Sequence, residues 1–127
     1  MVSWSQIDAI AQTLPEVDSL NEGRRSWSVR GKGIAWERPL RAKEIAELGD
    51  DIPSGDIIAF HVADESIKHA LIADRPEAFF TIRHFDGYPA VLTIRTKLRV
   101  SEVRELLTDG WWLKAPPALR KLHPELR

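Results

Sequence analysis

Between Ser26 and Arg38 the sequence alternates outward and inward residues on either side of Gly31-Lys32-Gly33. No other stretch restricts the fold as much. Two short alternating runs around a glycine-flanked turn close into a β-hairpin, because such turns need positive φ values that glycine adopts freely. The expected strands are Ser26 to Arg30 and Ile34 to Arg38. Trp27 and Val29 then share one face, as do Ile34 and Trp36 on the return strand, while Ser26, Ser28 and Arg30 point the other way. One face is expected to pack on a core and the other to meet solvent.

The flanking sequence supplies the other layers. Ser3-Trp4-Ser5-Gln6 has the capping-box form, and Trp4, Ile7, Ala11 and Leu14 follow at helical spacing up to Pro15. Glu16 to Gly23 reads as a polar connection. Arg41 to Leu48 reads as a short helix with Ile45 and Leu48 inward. Asp56 to Val62 is a mostly apolar run of strand length and is the expected central strand. Asp64 is positioned to cap a helix from Glu65 to Ala73, with Ile67, Ala70 and Leu71 inward. Phe79 to Phe85 and Ala90 to Arg95 are expected to form a second hairpin across Asp86-Gly87-Tyr88-Pro89. Ser101 is the expected cap of a helix that runs to Thr108 and stops at Gly110, and Ala118 to Leu122 forms a last short helix.

This order predicts an α+β fold in one domain, residues 1–127. A single antiparallel sheet, built from two hairpins and a central strand, is covered on one face by N-terminal, middle and C-terminal helices. A chain of 127 residues with 43% hydrophobic and 29% charged residues suits one ordinary core. Five tryptophans assign much of that core to large rings. There is no cysteine, which removes disulfides, thiol catalysis and thiolate metal sites and suits a reducing cytoplasm. Met1 to Leu14 lacks the basic-then-apolar pattern of a signal peptide, and no apolar run nears the roughly 18 residues of a membrane span. A soluble, cytoplasmic protein is expected.

Four segments together resemble the MmcQ/YjbR family. They are Ala11 to Val17 (AQTLPEV), Trp27 to Ala35 (WSVRGKGIA), Pro76 to Pro89 (PEAFFTIRHFDGYP) and Trp111 to Pro116 (WWLKAP). The resemblance spans nearly the whole chain. It implies a CyaY-like α+β domain and DNA binding through a "double wing", a saddle-shaped sheet facing the nucleic acid. Many members carry a basic residue directly after Ala-Pro. This chain has Pro117 there, so an anion-holding role would fall to Lys114 or Arg120.

The charge pattern bears on the same question. Arg24 to Lys43 holds seven basic residues against one acid, Glu37, although the whole chain has a net charge of −1. The residues expected to contact phosphates are Arg25, Arg30, Lys32 and Arg38 on the first hairpin and Arg95, Lys97 and Arg99 after the second. Arginine and lysine at strand ends can reach neighbouring phosphates, and arginine can grip one bidentately. Tyr88, in a loop between Gly87 and Pro89, is the aromatic placed to stack on a base. Trp27 and Trp36 are assigned to the core instead. The alternative for the basic residues is a solvated face paired with some of the 19 acids.

Catalytic and metal signatures are missing from the sequence. His61, His69, His84 and His123 form neither an HxH nor an HxxxH pair, so no metal site is expected. There is no GxSxG elbow and no phosphate-binding loop, so no catalytic residue and no cofactor is expected. His84-Phe85-Asp86-Gly87 is the most site-like polar cluster, and a loop-building role accounts for it equally well. Two functions stay open: a non-catalytic DNA-binding protein, and a protein- or small-ligand-binding module without affinity for nucleic acid.

Overall fold

The computed structural model describes residues 2–21 and 23–127. Met1, and Glu22 within the polar connection, lie outside the described residues. The elements are α1 (Trp4–Ala11), β1 (Val17–Leu20), β2 (Ser26–Val29), β3 (Lys32–Glu37), α2 (Ala42–Leu48), β4 (Ile57–His61), α3 (Glu65–Asp74), β5 (Phe79–Phe80), β6 (Ala90–Ile94), α4 (Val100–Lys114) and α5 (Pro117–Leu122). The strands form one antiparallel sheet in the order β1-β2-β3-β4-β6-β5. The α+β class and the central position of β4 match the sequence expectation.

The first hairpin forms, but its turn is Arg30-Gly31. Val29 pairs with Lys32, and Arg30 and Gly31 have φ values of 50° and 79°. Positive φ at both central residues suits the right-handed twist of the strands, so a two-residue turn displaces the wider Gly31-Lys32-Gly33 turn. A bulge follows. Trp27 pairs with Ala35 and Ser28 with Gly33, which leaves Ile34 as an extra residue in β3. Ile34 and Ala35 are both buried in the cluster that holds Trp27. The extra residue inverts the alternation beyond it. Trp36 therefore lies on the opposite face from Trp27, next to Ala59.

That inversion accounts for a second apolar layer. On one face α1 and α4 pack Ile7, Leu107 and Trp111 against Trp27, Val29, Ile34, Ile58, Phe60 and Val91. The other face is not left to solvent, as a sheet covered on one side would be. Ile57, Ala59, Ala90 and Leu92 are buried there with Ile82 and Phe85, and Trp36, Leu40, Leu48 and Phe80 pack against them. Phe85 comes from a 3-10 turn, Arg83–Phe85. The expected second hairpin is thus a two-residue strand, β5, followed by an excursion that leaves the sheet and rejoins it at Ala90.

Several boundaries differ for local reasons. The connection Glu16 to Gly23 contains β1, whose VDSL sequence buries only Val17. The capping box at Ser3 forms as expected, but α1 ends at Ala11. In α3 the fully buried residue is Lys68, while Ile67 and Ala70 are exposed. In α2 Glu44 is buried and Ile45 is exposed. Helix α4 starts after Arg99 rather than Ser101, since the Arg99 N–H donates to Glu102 at 2.8 Å. It then runs through Gly110 to Lys114 and stops before Pro116, where proline removes the next donor.

Candidate functional site

The eight residues expected to bind nucleic acid are dispersed. Arg25 and Arg95 both lie at one end of the sheet, against the Trp4 ring, with guanidinium carbons 4.7 and 5.3 Å from its centroid. Each is held by a carboxylate: Arg25 by Glu37 at 3.3 Å, Arg95 by Asp56 at 2.9 Å. Arg95 also donates to the Val2 carbonyl, and the Trp4 indole N–H donates to Asp56. Arg30 and Lys32 sit at the opposite end, on the β2–β3 turn. Arg30 grips both oxygens of Glu16 at 2.6 and 3.1 Å, which lowers the Glu16 pKa and raises that of Arg30. Lys32 is exposed.

Arg38 does not face solvent at all. It is 6% exposed and bonds Glu44 bidentately at 2.9 and 2.7 Å, with a further bond to the Pro39 carbonyl. The Glu44 carboxyl is held below its ordinary pKa, first by those hydrogen bonds. A buried guanidinium already neutralised in this way is not available to a phosphate. Lys97 and Arg99 are exposed on the link between β6 and α4. Among the described residues neither has a carboxylate within salt-bridge distance.

Tyr88 is exposed as expected, but its ring is engaged. Its hydroxyl lies 3.4 Å from His61 Nε2, and it meets Phe85 edge-on. His61 also contacts the Trp36 ring at 4.9 Å between centroids. Burial holds the imidazole below its ordinary pKa, and the Lys114 ammonium adds to this, so it is neutral at neutral pH. Among the described residues its buried Nδ1 has no hydrogen-bond partner. The loop that carries Tyr88 is fixed from below by Lys68, whose Nζ donates to the carbonyls of Phe85 and Tyr88 at 2.7 and 3.0 Å and to Glu65 at 3.1 Å.

A further concavity lies elsewhere, between α3 and α4. It measures about 680 Å³, within the roughly 300–1,000 Å³ range of small-molecule sites. Leu71, Phe79, Leu106 and Trp112 give it an apolar floor; Ile67 and Leu113 line it while remaining 46% and 42% exposed. Asp74, Glu102, Glu105 and Asp109 line it, together with Arg99 and Arg127. Desolvation raises the Asp109 pKa, and the Glu105 carboxylate one turn earlier adds to the rise. Among the described residues Asp109 has no basic partner in salt-bridge range.

Of these groove residues only Arg99 was among those expected to contact a ligand. Trp112 was the nearest signal, because adjacent tryptophans on a helix cannot both face one core. Trp111 is fully buried and donates its indole N–H to the Pro15 carbonyl at 2.8 Å, while Trp112 is only half-buried. Asp109 had no such signal: only the continuation of α4 through Gly110 brings it to the groove.

Three curated relatives match almost end to end. They are uncharacterized protein Rv2570 and uncharacterized protein MT2646 of Mycobacterium tuberculosis and uncharacterized protein Mb2600 of Mycobacterium bovis. Each is 41% identical over 122 residues, which is 94% of this chain and 93% of the relative. The chain belongs to their family. No family model and no solved structure matches it. Among the described residues no helix is long and apolar enough to cross a membrane. No group of three or more metal-ligating side chains converges there either.

Proposed function

We propose that this domain is a non-catalytic small-ligand-binding module whose site is the groove between α3 and α4. The observation that carries this reading is the apolar floor of Leu71, Phe79, Leu106 and Trp112 beside a desolvated carboxylate, Asp109, that has no salt-bridge partner among the described residues. An apolar floor favours an apolar body, and the Asp109–Glu105 pair favours a positive group. The ligand class is therefore an amphipathic organic cation. A cysteine-free chain fits a reducing cytoplasm as the place where it acts.

The test is an amide and methyl NMR titration with phenylbutylamine, using phenylbutyrate as the oppositely charged control. The amine is expected to shift the Leu106 and Leu113 methyls and the Trp112 indole N–H saturably, and Asp109→Asn is expected to weaken it. Equal binding of both compounds, or none by either, overturns the reading.

Nucleic-acid binding is the second reading, together with membership of the MmcQ/YjbR family, and it rests on the four matching segments. Lys32, Lys97 and Arg99 favour it, being exposed and without carboxylate partners among the described residues. Arg25, Arg30, Arg38 and Arg95 count against it, since each is already bonded to an acid. Fluorescence anisotropy with a labelled duplex and a labelled single strand across a salt series separates the two readings. Three phosphate contacts give a log–log slope of roughly −2 to −3. A flat line at low salt removes the second reading.

A further inference from the structure

We propose a phosphoryl-binding site in the smaller concavity formed by the first turn of α2 and the 3-10 turn Arg83–Phe85. Arg41, Lys43, Arg83 and His84 line it, together with Glu44 and Glu47, and enclose about 280 Å³. The site lies away from the α3–α4 groove and stands independently of its ligand.

Charge balance is the first argument. Glu44 is spent on Arg38, which it meets bidentately, and on the Arg41 N–H at 2.8 Å. Of the two lining acids, Glu47 is then the one left without a partner beside Arg41, Lys43 and Arg83 among the described residues. Among the described residues Arg41, Lys43, Arg83 and His84 have no carboxylate within salt-bridge distance. Arg25, Arg30, Arg75 and Arg95, by contrast, are each bonded to an acid. Here cations from two elements face one cavity with a surplus of positive charge.

Rigidity is the second argument. The Arg38–Glu44 pair ties the first turn of α2 to the end of β3. On the opposite wall, buried Phe85 anchors the 3-10 turn in the second apolar layer, and Lys68 holds the Phe85 carbonyl at 2.7 Å. Both walls are therefore set before a ligand arrives, which lowers the ordering cost of binding. Two guanidinium forks and an ammonium suit a tetrahedral oxyanion with several acceptor oxygens better than a single carboxylate. The volume admits a phosphate with a small attached group. The ligand class is a phosphate monoester carried on a small molecule.

The experiment is an amide NMR titration of the full chain with inorganic phosphate, with sodium chloride at matched ionic strength as control. Saturable shifts are expected at Arg41, Lys43, Arg83 and His84 in phosphate alone. Arg83→Gln and Arg41→Gln, both at exposed positions, should each weaken binding about tenfold. Glu47→Gln should tighten it. Equal shifts in chloride, or phosphate binding unchanged in Arg83→Gln with the remaining amide spectrum intact, overturn the site. A single-stranded oligonucleotide without terminal phosphate forms the other arm. If it displaces phosphate from these residues, the ligand is a phosphodiester backbone and the small-molecule assignment falls.

Discussion

Gly110 in α4 faces Ile34 in β3 so closely that a Cβ on Gly110 would stand 2.5 Å from Ile34 Cγ2. The absence of a side chain at residue 110 sets how near the longest helix lies to the sheet. Gly110→Ala gains roughly 1 kcal/mol of helix propensity. It also forces Ile34, whose β-branched side chain has little rotamer freedom, out of its position. The net expectation is a loss of about 1–3 kcal/mol, read as a lower urea midpoint. Ile34→Ala should cost less in the Gly110→Ala background than in the parent, so the two effects should not add. A midpoint unchanged by Gly110→Ala would mean that the helix shifts freely.

Arg38 and Glu44 form the most deeply buried ion pair, with side chains 7% and 6% exposed. Glu44→Ala leaves the guanidinium without its partner and should cost about 3–5 kcal/mol in chemical denaturation. The Glu44 pKa is lowered in the folded protein, first by the hydrogen bonds from Arg38. Its contribution is therefore complete above the ordinary carboxylate value and is lost as pH falls through the lowered one. The stability gap between parent and Glu44→Ala should shrink in acid. A gap independent of pH would show that packing, not charge, is what the substitution removes.

Asp109 should show the opposite sign. Desolvation raises its pKa, and Glu105 adds to the rise. Stability linked to this group is present below the unfolded value and is lost as pH rises through the raised folded value. Asp109→Asn is thus expected to raise the melting temperature at neutral pH, with no gain once the pH is below the ordinary aspartate range. Thermal melts across that range check it, and a loss at neutral pH would contradict it.

Lys68→Met should loosen one loop. Its ammonium is fully buried and bonds two carbonyls of the segment that carries Tyr88. Leaving those carbonyls unpaired should cost about 1–3 kcal/mol. Amide exchange at Asp86 and Tyr88 should quicken more than exchange in β4. Uniform acceleration would instead indicate a global loss of stability.

Much of the architecture was legible because it depends on local chemistry. The capping box at Ser3, the apolar run that became β4, the Asp64 cap and the hairpin all depend on near neighbours. Trp36 was misassigned because alternation is reliable only in an uninterrupted strand, and the bulge at Ile34 changes the face of everything beyond it. The polar β1 was missed because pairing with β2, not its own pattern, makes it a strand.

The candidate sites were less legible than the fold. A basic stretch records how many cations lie close in sequence, not where their acids come from. Glu16 lies fourteen residues from Arg30, and Asp56 thirty-nine from Arg95. The run from Arg24 to Lys43 was therefore split by the fold into Arg25 and Arg30, satisfied at opposite ends of the sheet, Arg38, buried against Glu44, the exposed Arg24 and Lys32, and Arg41 and Lys43, which line one concavity with Arg83 and His84.

The sequence by itself determined the class of fold, the helix start at Ser3 and the place of β4, because periodicity and capping act over a few residues. Only the tertiary structure decided which charges are spent and which remain. Pairing depends on distances between elements far apart in the chain, and a bulge or a bare glycine such as Gly110 sets those distances.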